Sequence, residues 1–164
     1  MLHARRKKHS KLIKKIIFGI LAFAVGFGTA LYTESFFRQI IQDIFKLSTF
    51  DKIIFVGKNF YVFSDKTYYI MLGVVPLMLT LEHLNKKPTK FLKNGIICLL
   101  IFGVSLIGIS AVDANIKVVQ CTACDNGIRK LNWNGIYYGR IISSSAMISI
   151  IPSLIRIIKR KSRI

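Results

Sequence analysis

Residues 16–33, IIFGILAFAVGFGTALYT, run for eighteen residues without a charge. As an α-helix, at about 1.5 Å per residue, such a segment crosses most of a hydrocarbon core about 30 Å thick. Directly before it stand Arg5, Arg6, Lys7, Lys8, Lys11, Lys14 and Lys15. Basic residues flanking a span are retained in the cytoplasm, which gives the first helix a direction. Every later crossing alternates from that start.

Extended to 12–32, this segment is followed by three more apolar stretches, at 67–84, 94–112 and 136–155. The pattern predicts an all-α integral membrane protein with four transmembrane helices in a single domain, 1–164. Its parts are a basic cytoplasmic tail (1–11), an outer loop (34–66), a cytoplasmic turn (85–93), a second outer loop (113–135) and a basic cytoplasmic tail (156–164). The expected location is a bacterial cytoplasmic membrane, with both termini inside.

A formal charge of +18 would ordinarily point to nucleic acid. The placement of the charges argues otherwise. In this topology the cytoplasmic side holds sixteen of the 25 basic residues and, of the seven acids, Glu82 alone. That asymmetry is what orientation in a membrane requires, so no nucleic-acid partner is expected. Anionic lipid headgroups are the counter-charge, at about 1 kcal/mol per basic residue near the surface.

On the first helix Ala22, Gly26 and Ala30 recur every four residues, a small-residue face that lets a neighbouring helix approach closely. Gly28-Thr29-Ala30 also resembles a signal-peptidase site; the apolar run is long for a signal peptide, which favours a retained helix. In the first outer loop, SFFRQIIQDIFKL places Phe36, Phe37, Ile40, Ile41, Ile44 and Phe45 on one helical face. Arg38, Gln39, Gln42, Asp43 and Lys46 fall largely opposite. An amphipathic helix lying on the outer membrane surface is expected. After it, KIIFVGKNFYVFSD reads as a β-hairpin turning at Gly57-Lys58-Asn59, a small cap over the bundle.

The second span carries Tyr68 and Tyr69 at interface depth, Pro76 as a kink, and Glu82 and His83 at the cytoplasmic end, within reach of headgroups or of Lys86 and Lys87. Asp113 ends the third span, inside which Cys98 serves as a small hydrophobe. The fourth holds Ser143, Ser144, Ser145 and Ser149, suited to hydrogen bonding within or between helices. Arg140 lies about one turn inside its outer end. Glu34, Asp65 and Asp113 sit at outer helix ends and are its candidate partners in an ion pair; the alternative is an arginine snorkelling to the interface.

The second outer loop has the most chemical content. Cys121-Thr-Ala-Cys124 is a C-x-x-C, and Asp125-Asn126-Gly127 is a turn between two strand-like runs. A second hairpin here can pair with the first and make a small sheet. Zinc would need two further ligands, and His3, His9 and His83 all fall on the other side of the membrane, so neither metal nor cofactor is expected. In size, crossing number and the outer C-x-x-C, the chain resembles four-helix membrane oxidases of disulfide-bond formation. That resemblance implies a thiol–disulfide or quinone-linked oxidoreductase using Cys121 and Cys124. Those enzymes carry a second cysteine pair in the first outer loop, and none is present here. A structural pair, bridged or reduced, is the other reading.

Phosphate-binding glycine loops, nucleophile elbows and paired carboxylates within a span are absent from the sequence. Spans without buried acids also argue against ion-coupled transport. In outline the chain resembles the immunity proteins that protect bacteria from pore-forming colicins of the A type. They are four-helix inner-membrane proteins of similar length with cytoplasmic ends, and they recognise the toxin's pore domain within the bilayer. The resemblance is architectural and carries no motif, so no residue role transfers. It implies a non-enzymatic protein, immunity-like or an accessory subunit, that binds a partner in or at the membrane.

Overall fold

The computed structural model describes residues 2–50, 53–57, 66–83, 89–120, 124–125 and 128–161. Five α-helices are formed among them: α1 (Leu2–Tyr32), α2 (Glu34–Thr49), α3 (Thr67–His83), α4 (Thr89–Gln120) and α5 (Tyr138–Lys161). Three short strands join them: β1 (Ile54–Val56), β2 (Cys124–Asp125) and β3 (Ile128–Asn132). A 3-10 turn at Trp133–Gly135 leads from β3 into α5, with the Asn132 side chain accepting from the Asn134 amide. The start of α1, the end of α3, the start of α4 and the end of α5 share one end of the bundle, here the basic end. The strands lie at the other, the sheet end.

The segments Ile13–Tyr32, Phe91–Val119 and Trp133–Lys159 are long and apolar enough to cross a membrane. Most of their large apolar side chains point away from the protein: Ile16, Leu21 and Val25 on α1, Leu99 and Val104 on α4, and Ile158 on α5 are all exposed. A solvent that tolerates this is lipid, and the chain is a membrane protein. Four spans of that kind were expected. At 17 residues α3 rises about 25 Å and falls short of the length the other three reach.

Asp113 does not end α4, which continues to Gln120. A single charge does not stop a helix; a glycine, a proline or a cap does. Here Ala111 and Ala114 favour helix, Asn115 Nδ2 donates to the Ala111 carbonyl, and Ala114 and Val118 bury themselves. Arg129 of β3 caps the far end, its Nη1 donating to the Val118 carbonyl at 3.0 Å.

The expected amphipathic helix is α2, with a different support. Its backbone follows α1 after one residue, Thr33, with helical hydrogen bonds on either side. Ile41, Phe45 and Thr49 are fully buried against the same chain, mainly against α4. Phe37 meets Phe102 of α4 edge to face at 5.8 Å, and Gln42 Nε2 donates to the Tyr138 hydroxyl of α5 at 2.9 Å. Ile41 and Phe45 of the apolar stripe are thus covered by protein, Phe37, Ile40 and Ile44 partly so, while Phe36 stays exposed.

The strands form one sheet in the order β1-β3-β2. β2 and β3 are antiparallel, the second hairpin expected from the sequence, and β1 runs parallel to β3 with Ile54 opposite Lys130. Phe55 stacks on Trp133 at 4.2 Å. The sheet therefore ties the two long connections together. Gly57 ends β1 at φ 90°, a left-handed conformation that other residues resist. The first loop's own hairpin partner lies outside the described residues.

α1 leans chiefly on α3, and the contact is made by backbone. Pro76 has no N–H, so the Leu72 carbonyl one turn earlier loses its helical donor. Gly26 of α1 packs onto that carbonyl: a methyl group added to Gly26 would lie 2.6 Å from Leu72 O and 2.6 Å from Pro76 Cγ. Opposite, a methyl on Gly73 would strike the Phe23 ring at 2.7 Å. Ala30 is buried further along, and Ala22 is half-buried. Gly26→Leu should therefore force the helices apart and lower stability in detergent by about 1–3 kcal/mol. Gly28, with nothing within 4 Å of its would-be methyl, is the control. Gly28→Ala should be neutral or stabilising by up to about 1 kcal/mol. Denaturant titration of the purified protein, followed by circular dichroism, checks both.

Candidate functional site

The polar side chains inside the bundle gather at two levels. At the basic end Glu82 of α3 is 4% exposed. Its Oε1 accepts from Asn94 Nδ2 of α4 at 2.9 Å and lies 3.4 Å from Arg156 Nε of α5. Arg156 also donates to Asn94 Oδ1, to Ser153 Oγ and to the Pro152 carbonyl. One carboxylate thus joins three helices. The sequence reading sent Glu82 to headgroups or to Lys86 and Lys87, and placed Arg156 in the cytoplasmic tail. The structure turns both inward; Lys86 and Lys87 lie outside the described residues. The one signal was that Glu82 is the sole acid on a side otherwise crowded with cations.

At the sheet end Glu34 plays the matching part. It opens α2, where a carboxylate suits the helix N-terminus. Its Oε1 receives Arg38 Nη2 at 3.0 Å, and its Oε2 receives the hydroxyls of Tyr69 at 3.0 Å and Tyr68 at 3.3 Å. Tyr68 and Tyr69 sit at the start of α3, their ring centres 4.2 Å apart and the rings tilted at 38°. Arg140 is not brought to this carboxylate. It is exposed on α5, with its guanidinium 5.0 Å from the centre of the Tyr137 ring. Lys117 of α4 lies 4.9 Å from the centre of the same ring. Of the three candidate partners Glu34 is not paired with Arg140; it faces α3 and is held by Arg38, Tyr68 and Tyr69. Asp113 is half-buried within α4, its Oδ2 without a hydrogen bond among the described residues. Asp65 lies outside the described residues.

Between the two levels the serines of α5 bond locally, while the buried Ser110 hydroxyl of α4 has no hydrogen bond among the described residues. Ser145, Ser149 and Ser153 form a buried row on α5, which packs against α3 and α4. Ser145 Oγ donates to the Ile141 carbonyl and Ser149 Oγ to the Ala146 carbonyl, so these hydroxyls satisfy themselves within their own helix. Small, self-satisfied side chains let helices approach, which is a packing role.

Cys124 forms part of β2, and Cys121 lies outside the described residues. Cys98 is buried in α4 as a free thiol. Among the described residues no group of three or more His, Cys, Asp and Glu could hold a metal ion. No family model, no curated protein and no solved structure matches this chain. What the geometry defines is a helical membrane protein whose interior polar groups are used as structural ties.

Arg156→Ala should leave the Glu82 carboxylate buried without its counter-charge, at a cost of about 3 kcal/mol. Glu82→Gln should lose less, because the amide still accepts from Asn94. The double variant should be less damaged than the sum of the two, by about 1 kcal/mol or more of coupling in a double-mutant cycle. Arg140→Ala, on the exposed face, should lose no more than about 1 kcal/mol.

Proposed function

We propose that this is a non-enzymatic polytopic inner-membrane protein of four spans, α3 included, that acts by binding a partner in or at the membrane. The observation that carries the reading is apolar surface left uncovered beyond the membrane. Helix α4 is apolar from Phe91 to Val119, a rise of about 42 Å, against about 30 Å of hydrocarbon. Counted from Lys93 and Asn94 at the basic end, the hydrocarbon ends near Asp113. Asn115 and Lys117 belong in the headgroups. Ile116 and Val119 lie past that level and are exposed, Val119 at 76%. At the same end Leu47 and Phe50, which close α2, are exposed at 76% and 73%. Apolar residues held in water by a rigid scaffold mark an interaction surface.

A bacteriocin immunity role fits this surface, with the membrane-inserted pore domain of a toxin as the partner. The oxidoreductase alternative has Cys124 on a short strand as its support and lacks a second cysteine pair in the sequence. Cytoplasmic termini follow from the basic ends, Lys14 and Lys15 at one side of the bundle joining Lys93 and Lys159.

Reporter fusions after residues 60 and 125 should be active only outside the cytoplasm, and fusions after 88 and 164 only inside; an odd number of crossings would overturn the topology. Cells expressing the protein should survive at least one of a panel of A-type pore-forming colicins. Ile116→Asp/Val119→Asp should abolish survival while membrane levels stay unchanged, and Cys121→Ser/Cys124→Ser should preserve it. Killing by every toxin in the panel would defeat the immunity form of the proposal. Defective oxidation of secreted proteins in cells carrying the cysteine variant would favour the oxidoreductase.

A further inference from the structure

At the sheet end, α4 and α5 bring two cations to one aromatic ring. Tyr137 stands directly before α5 and is exposed. The Lys117 ammonium, from the last turn of α4, lies 4.9 Å from the centre of its ring. The Arg140 guanidinium, from the first turn of α5, lies 5.0 Å from the same centre. An aromatic face attracts a cation through its quadrupole and brings no net negative charge to it. Beyond that ring, neither cation makes a hydrogen bond or an ion pair among the described residues.

The helix start adds to the imbalance. The N-terminus of a helix carries about half a positive charge from its dipole and favours an acid. The first turn of α5 contains no acid and carries Arg140 instead. Asp113 stands one turn before Lys117 on α4, a spacing at which an acid and a lysine can pair. The two form no ion pair, and Asp113 Oδ2 is buried. Glu34 is held by Arg38 and the two tyrosines of α3. Two cations and a helix N-terminus therefore outweigh the single half-buried carboxylate beside them, and an anion is the missing partner.

We propose that Lys117, Arg140 and Tyr137 form a binding site for the headgroup of an anionic phospholipid, its phosphate meeting the guanidinium and the ammonium. The level of the cluster favours a lipid. With the hydrocarbon of the proposed topology ending near Asp113, Lys117 falls among the headgroups, and Tyr137 and Arg140 share its level. Tyrosine is enriched there. Toward the membrane centre the helices continue with exposed apolar residues, Val112 on α4 and Met147 and Ile148 on α5, against which an acyl chain can lie. A guanidinium can give a phosphate two parallel N–H bonds, and an ammonium adds a point charge. The site requires the membrane level proposed for α4 and no toxin or other protein partner.

The test uses the full-length protein in vesicles. Trp133 is the single natural tryptophan, and Trp133→Phe, which keeps an aromatic ring against Phe55, gives a silent background. Tyr137→Trp then puts a reporter in the site with a cation-binding ring retained. Tyr32→Trp, at a 90% exposed position closing α1, is the control at the same end of the bundle. Phosphatidylglycerol or phosphatidylcholine, brominated near the headgroup end of the acyl chains, is mixed into phosphatidylcholine vesicles at equal mole fraction, and quenching is compared. At residue 137 the relative binding constant should favour phosphatidylglycerol by at least about fivefold, the factor for one engaged cation. At residue 32 it should be close to one. Lys117→Gln/Arg140→Gln should bring the value at residue 137 close to one, whereas Arg140→Lys, which keeps the charge, should retain a preference. Equal quenching by the two lipids at residue 137 would overturn the proposal and leave the cations to an acidic segment of a partner. So would the same preference at both residues, or a preference that survives loss of both cations. Quenching at residue 32 and by neither lipid at residue 137 would mean that protein covers the ring, which also defeats the site. Absence of quenching at both residues would remove the membrane level on which it depends.

Discussion

A carboxylate at each end of α3 holds the bundle together. Glu82 is buried at the basic end and joins α3 to α4 and α5 through Asn94 and Arg156. Glu34 at the sheet end joins the start of α2 to the start of α3 through Tyr68 and Tyr69. A charge away from water is costly unless it is paired and its remaining lone pairs are bonded, so each carboxylate dictates what must stand around it. Tyr69 and Glu82 are thirteen residues apart, about 20 Å along α3. The shortest of the apolar helices is in this way pinned at both ends, and the longer helices are registered against it.

The middle of α3 works by the opposite means. Pro76 frees a carbonyl and Gly73 removes a side chain, and α1 comes close enough for Gly26 to cover the carbonyl with its backbone. On another side, α5 brings serines that bond to their own helix and take little room. In lipid there is no hydrophobic drive to bring helices together, so close backbone contact and polar ties must do it. The chain concentrates the ties at the ends and the close contacts between them.

Toward the sheet end the architecture changes. α2 and the last turns of α4 pack through Phe45, Ala114 and their neighbours, and the sheet β1-β3-β2 bridges the two connections. Phe55 on Trp133, with the Lys46 ammonium 5.6 Å from the centre of that ring, fixes α2, the sheet and the entry to α5 relative to one another. The result is a rigid platform whose exposed apolar residues, Leu47, Phe50 and Val119 among them, are presented in fixed positions.

The sequence by itself determined the features that depend on local order along the chain. Uncharged runs about the length of a bilayer define membrane helices wherever they occur, because the backbone in lipid must bond to itself. The alternation of Phe37, Ile41 and Phe45 with Arg38 and Gln42 defines the amphipathic α2 by its period, and the two strand-like runs on either side of residues 126–127 supply the antiparallel β2 and β3. Only the tertiary structure decided which surfaces those elements share. The period of α2 does not say whether lipid or α4 covers it, and α4 continues past Asp113 because partners bury Ala114 and Val118 there. Glu82 and Arg156 stand 74 residues apart, and Arg140 and Glu34 are equally plausible as opposite charges on paper. Which pair forms depends on the rotation of each helix about its axis. That rotation is set by close contacts such as Gly26 on Leu72, between residues far apart in the chain, and no local pattern encodes it.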